Sequence, residues 1–499
     1  MELGRFWWWA TLVLFPLCIH GCFGCWEEER IGSCNSKRPS TKQRPLSSWS
    51  STNQERDCCR WERVYCHNTT GRVIHLDLGM LRVDHWWKEH WYLNASLFLP
   101  FQELNSLDLS FNRNYGWVSN EGLERFSRLS KLEELSFDWN FINDSFLSSI
   151  GAIASLKKLN LKGNGPIHTP AHESLKLSLA VSELGRLNNL QELYLDNSQT
   201  EKSILQRVGI MTSLNVFSIS GCGLQGWFPD KGWCELRNLQ ELKLSDNDFE
   251  GMLPSCLANM TALRFLSLSH NHFNESISHI SSLPSLEYLD LSNNHFAPIS
   301  FSSFFNLSRL KILIMDNLVI DEENESQPWA STSTQLYVVG MLPRWLGNLS
   351  FLKNIAMTNN KLEGPIPREL SGPLPSSLKD NLALVTLELS YNNLTGYLPD
   401  WIGNLSSLSI LLLRHNHLQV EAVQEVEFTT KRRSDIYKGN ILDYMSGIDL
   451  SSNQLTGKIP HELGNLSNIH ALNLSYNSLT GSIPITFSKL PNREFGSFQ

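Results

Sequence analysis

Charge is scarce in this chain. Lys, Arg, Asp and Glu make up 18% of its 499 residues, and the formal balance is −8 with a pI near 6.0. An acidic surplus with no basic domain excludes a general attraction for nucleic acid or anionic lipid. Catalytic signatures are missing too: there is no G-x-S-x-G, no H-E-x-x-H, no phosphate-cradling loop, and no kinase set of Gly-rich loop, H-R-D and D-F-G. No enzymatic activity and no cofactor are expected. His85 and His90, five apart in His85-Trp86-Trp87-Lys88-Glu89-His90, lack a third and fourth ligand, so no metal site is read there. Beyond the N-terminal stretch no run of about 20 apolar residues occurs, which leaves no late membrane-spanning segment in the sequence.

What the chain has in quantity is leucine at fixed intervals. Twelve versions of L-x-x-L-x-L-x-x-N-x-L lie between Leu104 and Pro484, and clean neighbours are spaced 23 to 25 residues apart. A period of that length specifies a stacked solenoid. Two full copies are Leu239-x-x-Leu242-x-Leu244-x-x-Asn247-x-Phe249-x-Gly251-x-Leu253-Pro254 and Met445-x-x-Ile448-x-Leu450-x-x-Asn453-x-Leu455-x-Gly457-x-Ile459-Pro460. The alternating apolar residues predict a short parallel strand with its leucines inside the coil, and the Asn side chain is expected to satisfy backbone groups at the bend that follows. Cys222 occupies one such Asn position, as a buried thiol substitute.

The tail G-x-[IL]-P recurs at Gly226/Pro229, Gly251/Pro254, Gly364/Pro367, Gly396/Pro399, Gly457/Pro460 and Gly481/Pro484 in close variants. This unit resembles the plant-specific leucine-rich repeat found in receptor kinases, receptor-like proteins and polygalacturonase inhibitors. The resemblance implies an α/β-type leucine-rich-repeat solenoid, a right-handed superhelix with a parallel β-sheet on its concave face. It also implies extracellular binding of peptides, glycans or proteins.

Residues 1–24 read as a secretory signal: Arg5, an apolar run from Phe6 to Ile19, then Gly21 and Gly24. Twelve N-x-[ST] sequons agree with that route, at Asn68, Asn94, Asn143, Asn259, Asn274, Asn306, Asn324, Asn348, Asn393, Asn404, Asn465 and Asn473. Residues 25–72 carry Cys58-Cys59-Arg60-Trp61-(x4)-Cys66, similar to the N-terminal cap of plant receptors of this type. That similarity implies pairs Cys25–Cys58 and Cys59–Cys66. Cys34 departs from the pattern, because Ile31-Gly32-Ser33-Cys34 interrupts the helix expected of such a cap. Cys234 and Cys256 stand 22 residues apart at equivalent places in adjacent coils, where a bridge is expected.

Repeats fill 73–419, with irregular stretches at 316–351 and 364–383. In the second, Gly372-Pro373-Leu374-Pro375 follows Gly364-Pro365-Ile366-Pro367 after only eight residues, as if one coil had lost about 16 residues. Residues 420–443 form a non-repeat segment with the basic cluster Lys431-Arg432-Arg433 and Tyr437, similar to the island that receptor-like proteins carry before their last repeats. Residues 444–499 return to the repeat. The resemblance leads one to expect further repeats and a membrane helix beyond Gln499, so the sequence reads as a truncated receptor.

If the leucines point inward, the variable strand residues point out of the concave sheet. These include Glu134, Ser136 and Asp138, then Glu192, Tyr194 and Asp196, then Glu241, Lys243, Phe265, Tyr288 and Asp290. Farther on come Glu388, Ser390, Tyr391, Arg414 and His415. Aromatics set among charges on a rigid sheet suit ligand recognition. The expectation is a receptor-like ectodomain, membrane-anchored or secreted, that binds an extracellular ligand and signals through a co-receptor or adaptor receptor kinase docked near Lys431, Arg432, Arg433 and Tyr437. A secreted inhibitor of a microbial wall-degrading enzyme and a nonfunctional receptor-gene fragment are the alternatives. Transcript sequencing across residues 364–375 and through the 3′ end checks the reading of a lost segment. The expected message differs from the present sequence at that junction and continues into more repeats; a message matching it residue for residue contradicts this.

Overall fold

A computed structural model of the chain describes residues 57–81, 91–142, 149–164, 183–198, 200–229, 233–300, 306–318, 353–360, 384–398, 407–419, 447–459, 461–465 and 471–489, with isolated positions between them. The signal segment, Cys25, Cys34, the sequons Asn143, Asn324, Asn348 and Asn404, the Gly372–Pro375 tail and the island lie outside the described residues. The described chain forms two compact units, one running to Leu224 with Lys231–Asn238, the other comprising Gln225–Asp230 and Leu239 onward.

The first unit opens with a short antiparallel pair, Val64–Cys66 against Val73–Asp77. A disulfide between Cys59 and Cys66 (S–S 2.03 Å) staples the approach to this pair, and the Trp61 side chain is buried beside it. Cys58 is also disulfide-bonded. From Val73–Asp77 the sheet continues, all parallel, through Ser106–Asp108, Glu134–Ser136, Lys158–Asn160, Glu192–Tyr194 and Val216–Ser218.

The second unit has a parallel ladder of its own through Glu241–Lys243, Phe265–Ser267, Tyr288–Asp290, Ile312–Ile314, Asn354–Ala356, Thr386–Glu388, Ile410–Leu412, Gly447–Asp449 and Ala471–Asn473. Each strand is three residues long, and its middle residue is the inward leucine or its equivalent: Leu242, Leu266, Leu289 and Leu313 are at most 2% exposed. Register never slips along these strands. Leu313 pairs with Ile355 across a connection of 42 residues, and Ile355 pairs with Leu387 across 32. The strands on either side of the irregular stretches therefore keep register, and their outward positions stay in their rows. Behind the strands, Phe228, Phe249, Phe273 and Phe296 pack ring on ring, 5.7 to 6.1 Å apart, as an aromatic spine of the core.

At the bend after each strand the Asn side chain works as the repeat predicts. Asn271 Nδ2 donates to the carbonyls of Leu244, Leu268 and Ser269 at 2.9 to 3.1 Å, while its Oδ1 accepts from the Phe249 N–H at 3.1 Å. Asn112, Asn140, Asn164, Asn294, Asn392, Asn416, Asn453 and Asn477 bond to backbone in the same manner. Cys222 takes the same place with Sγ 3.1 Å from the Leu195 carbonyl, and burial pushes its thiol up to about 12. Ser198 substitutes elsewhere, donating to Leu161 O at 2.8 Å.

Asn114 breaks the pattern in the opposite sense. It stands two residues after the ladder residue Asn112, where other coils place Leu or Phe, and it is fully buried with both side-chain polar atoms lacking hydrogen-bond partners. Two opposite outcomes are expected in chemical or thermal unfolding. Asn271→Ala takes the acceptor from the Phe249 N–H and one of two donors from each of the Leu244, Leu268 and Ser269 carbonyls, and lowers stability by about 1–2 kcal/mol; Asn114→Leu removes an unpaired amide from the core and raises it by about 1–2 kcal/mol. Destabilisation by Asn114→Leu contradicts this account.

Candidate recognition face

Strand alternation places the first and third residues of each three-residue strand on the outer face of the sheet, and parallel register lines them up from coil to coil. In the first unit this face is internally neutralised. Lys158 Nζ lies 3.2 Å from Glu192, Lys162 Nζ lies 2.8 Å from Asp196, and the Tyr194 hydroxyl donates to Glu192 Oε2 at 3.0 Å. The two ammonium groups also stand over the Tyr194 ring, at 5.8 and 4.6 Å from its centroid. Asp196 is buried, accepting from the Ser218 hydroxyl and from the Ser220 N–H at 2.8 Å. Glu192, Tyr194 and Asp196 thus form one cluster, whose partners Lys158 and Lys162 sequence reasoning did not single out. The signal was available: both lysines are variable positions of the coil Leu156-Lys157-Lys158-Leu159-Asn160-Leu161-Lys162.

The second unit is built differently. Phe265 and Tyr288, partners in register, stack with centroids 3.9 Å apart and planes 6° from parallel. Lys243, itself 2.9 Å from Glu241, caps the column 4.6 Å above the Phe265 ring. The row continues through half-buried Ile312, and Ile314 stands beside it. Next to this apolar strip stand three carboxylates: Asp290 and Glu388 share one register row with Ile314 and Ala356, and Asp316 lies one row beyond, two residues after Ile314. Asp290 accepts only locally, from the Ser292 N–H at 3.1 Å, and Asp316 accepts from the Thr358 N–H. Burial pushes the Asp316 and Glu388 carboxyls up, with Asp290 acting on Asp316 and Asp316 on Glu388; burial, reinforced by Asp290, pushes the Tyr288 hydroxyl up to about 12. Asp316, which was not among the expected residues, follows its strand by two residues and occupies the same outward phase as Asp138 and Asp196.

Tyr391, Arg414 and His415 require a correction. Tyr391 and His415 are not strand residues but the bend residues after Thr386–Glu388 and Ile410–Leu412, both with left-handed φ of 55° and 54°. Their rings stack at 4.5 Å on the rim, and Arg414 covers Tyr391 at 4.8 Å. The bend signature is positional, since Asn293, Asn317 and Asn359 occupy it in other coils. Lys431, Arg432, Arg433 and Tyr437 lie outside the described residues, as does the Cys234 side chain, while Cys256 is disulfide-bonded. Of the described sequons, Asn68, Asn259, Asn274, Asn306 and Asn393 are exposed. Asn94 is half-buried and caps a short helical turn by accepting from Ser96 N at 2.8 Å, and Asn473 is half-buried on the sheet face. Among the described residues no group of three His, Cys, Asp or Glu is arranged to hold a metal ion, and no helix is long and apolar enough to cross a membrane.

Family models for leucine-rich repeats match residues 211–273, 261–304, 383–405, 446–466 and 468–490. Among curated relatives, receptor-like protein 15 of Arabidopsis thaliana is 31% identical over 92% of this chain and 47% of its own length. Cuscuta receptor 1 of Solanum lycopersicum is 26% identical over 91% and 55%. The chain spans about half the length of these relatives. Among solved structures, the leucine-rich-repeat ectodomain of the Arabidopsis thaliana membrane receptor kinase GASSHO1/SCHENGEN3, in complex with Casparian strip integrity factor 2, matches with TM-score 0.61 and 25% identity, covering 94% of this chain and 53% of that one. The Arabidopsis receptor kinase HAESA, in complex with the peptide hormone IDA and the co-receptor SERK1, matches in fold at TM-score 0.56 and 22% identity, covering 94% and 81%.

The raised carboxylates carry a stability consequence with a definite sign. Because Asp316 and Glu388 hold protons in the folded state at pH values where the unfolded chain has released them, their ionisation subtracts from stability as pH rises through their folded-state values. The double variant D316N/E388Q keeps hydrogen-bonding side chains but no charge. Its thermal midpoint is expected to exceed that of the wild type by a few degrees at neutral pH, with the difference shrinking toward about pH 4. A lower midpoint at neutral pH contradicts this reading.

Proposed function

The chain belongs to the leucine-rich-repeat receptor-like proteins of plants, and from that premise we propose that it is a ligand-recognition ectodomain. It binds an extracellular peptide, glycan or protein without chemistry and signals through a partner receptor kinase in defence or development. The observation that carries this reading is the Phe265–Tyr288 stack, half-buried aromatic area held open on a sheet whose every coil is fixed in register. A rigid surface that orders nothing on binding loses little conformational entropy, and aromatic anchors of this kind dominate binding energies. The complex formed by the GASSHO1/SCHENGEN3 ectodomain with Casparian strip integrity factor 2 supports recognition by a repeat surface of this architecture. The first unit offers Glu192, Tyr194 and Asp196, the second Phe265, Tyr288, Asp290, Glu388, Tyr391 and Arg414. The island residues Lys431, Arg432, Arg433 and Tyr437 supply the contact to the kinase partner. The protein enters the secretory pathway and presents its repeats outside the cell.

Two variants test the placement separately, each against apoplastic ligand fractions in a binding and reporter assay in plant cells. Phe265→Ala/Tyr288→Ala is expected to reduce ligand binding at least about tenfold, and Lys431→Glu/Arg432→Glu/Arg433→Glu to leave ligand binding intact while abolishing recruitment of the kinase. Unchanged affinity in the first variant, or unchanged recruitment in the second, rejects the corresponding placement.

A further inference from the structure

We propose that the face of the second unit between Phe265 and Glu388 recognises an extended cationic peptide segment, its basic side chains received by Asp290, Asp316 and Glu388 and an apolar side chain by the Phe265–Tyr288 stack. This rests on the recognition reading above and specifies the ligand chemistry.

Several carboxylates elsewhere meet lysines: Glu287 meets Lys311, Glu133 meets Lys157 at 2.7 Å, and Glu192 and Asp196 meet Lys158 and Lys162, whereas Asp138 is raised by burial and is held by the Ser136 hydroxyl. The cluster Asp290, Asp316 and Glu388 forms no ion pair among the described residues, although burial pushes the Asp316 and Glu388 carboxyls up; the nearest cation acting on it is Arg414, which eases the Glu388 charge from a distance. Its flanks are half-buried Ile312, Ile314, Ala356, Ile410 and Leu412, which keep the local dielectric low and strengthen any charge pairing made there. A surface kept only for solubility gains nothing from withdrawing three like charges from water.

An independent observation comes from Ser390. It follows Glu388 by two residues and so shares its side of the chain, yet it is 2% exposed, and its hydroxyl, though close enough to ease the Glu388 charge, makes no hydrogen bond of proper geometry. An ammonium or guanidinium group set between Asp316 and Glu388 would supply the missing donor. The lengths agree as well: Asp290 to Glu388 crosses three strand spacings, about 14 Å, which is four to five residues of extended chain. Acidic and apolar positions stand side by side on this face, and an extended peptide that alternates basic and apolar side chains meets both.

The test is calorimetric titration of the full chain with two acetylated, amidated heptapeptides, one alternating Leu and Lys, the other Leu and Glu. The Leu/Lys peptide is expected to bind at least about tenfold tighter than the Leu/Glu peptide, with affinity falling as salt rises. D316N/E388Q is expected to lose about tenfold or more of that affinity while remaining folded. A control, E103Q/E133Q, removes the same charge from the first unit and is expected to stay within about twofold of wild type, which separates local recognition from the attraction of a net-negative chain. Equal binding of the two peptides, an unaffected D316N/E388Q, or an equal loss in the control overturns the proposal. If D316N/E388Q binds normally while Phe265→Ala/Tyr288→Ala loses the apoplastic ligand, the charge assignment fails and the recognition reading stands; if neither variant loses its ligand, both fail.

Discussion

Everything on the outer face depends on what happens at the inner bend of each coil. A three-residue strand has too few hydrogen bonds to hold itself, and the chain that turns away from it carries carbonyls and N–H groups into the dry interior. The amide of one asparagine answers several of those groups at once, two coils at a time: Asn392 binds the carbonyls of Met357, Leu389 and Ser390, and its Oδ1 accepts from the N–H groups of Asn360 and Leu362. Because that ladder fixes each coil against the last, the outward residues inherit positions set by backbone chemistry and not by their own contacts. The face is free to vary in sequence without losing its geometry.

The two units use that freedom differently. On the first, opposite charges face one another across adjacent strands and close around Tyr194, so the surface is largely self-satisfied. On the second, an aromatic and aliphatic row lies beside Asp290, Asp316 and Glu388, which are interleaved with Ile314 and Ala356 and form no ion pair among the described residues. Such an arrangement is costly in isolation, since the acids are partly withdrawn from water and lie close to one another. Natural chains tolerate local costs of this kind where a surface serves a partner.

Much of this was legible in the sequence because the repeat ties residue position to direction. The period located the strands, the Asn column and the Cys222 substitution, and the variable positions pointed to Tyr194, Phe265, Tyr288, Asp290 and Glu388. Pairing was not legible, because it depends on which positions meet across coils: a connection of 34 residues separates Lys158 from Glu192, and counting along the chain does not show them opposed. Tyr391 and His415 were assigned to strands because the motif does not mark where a three-residue strand ends. The long connections were equally opaque. They break the spacing, but not the register, since the pairing of Ile355 with Leu387 is set by backbone bonds that the intervening residues do not enter.

Cys222 has a bearing on how the chain survives an oxidising environment. It keeps its thiol outside any disulfide in a protein that also carries disulfides at Cys59–Cys66, Cys58 and Cys256, the setting in which thiol exchange scrambles native bridges. Exchange proceeds through the thiolate, and burial, which pushes the thiol up to about 12, makes that form scarce at neutral pH. The burial that comes with standing in for an asparagine amide thus keeps the sulfur from acting as a nucleophile. Substituting cysteine at the bend, and not on the exposed rim, adds a thiol to the secretory route without adding a nucleophile.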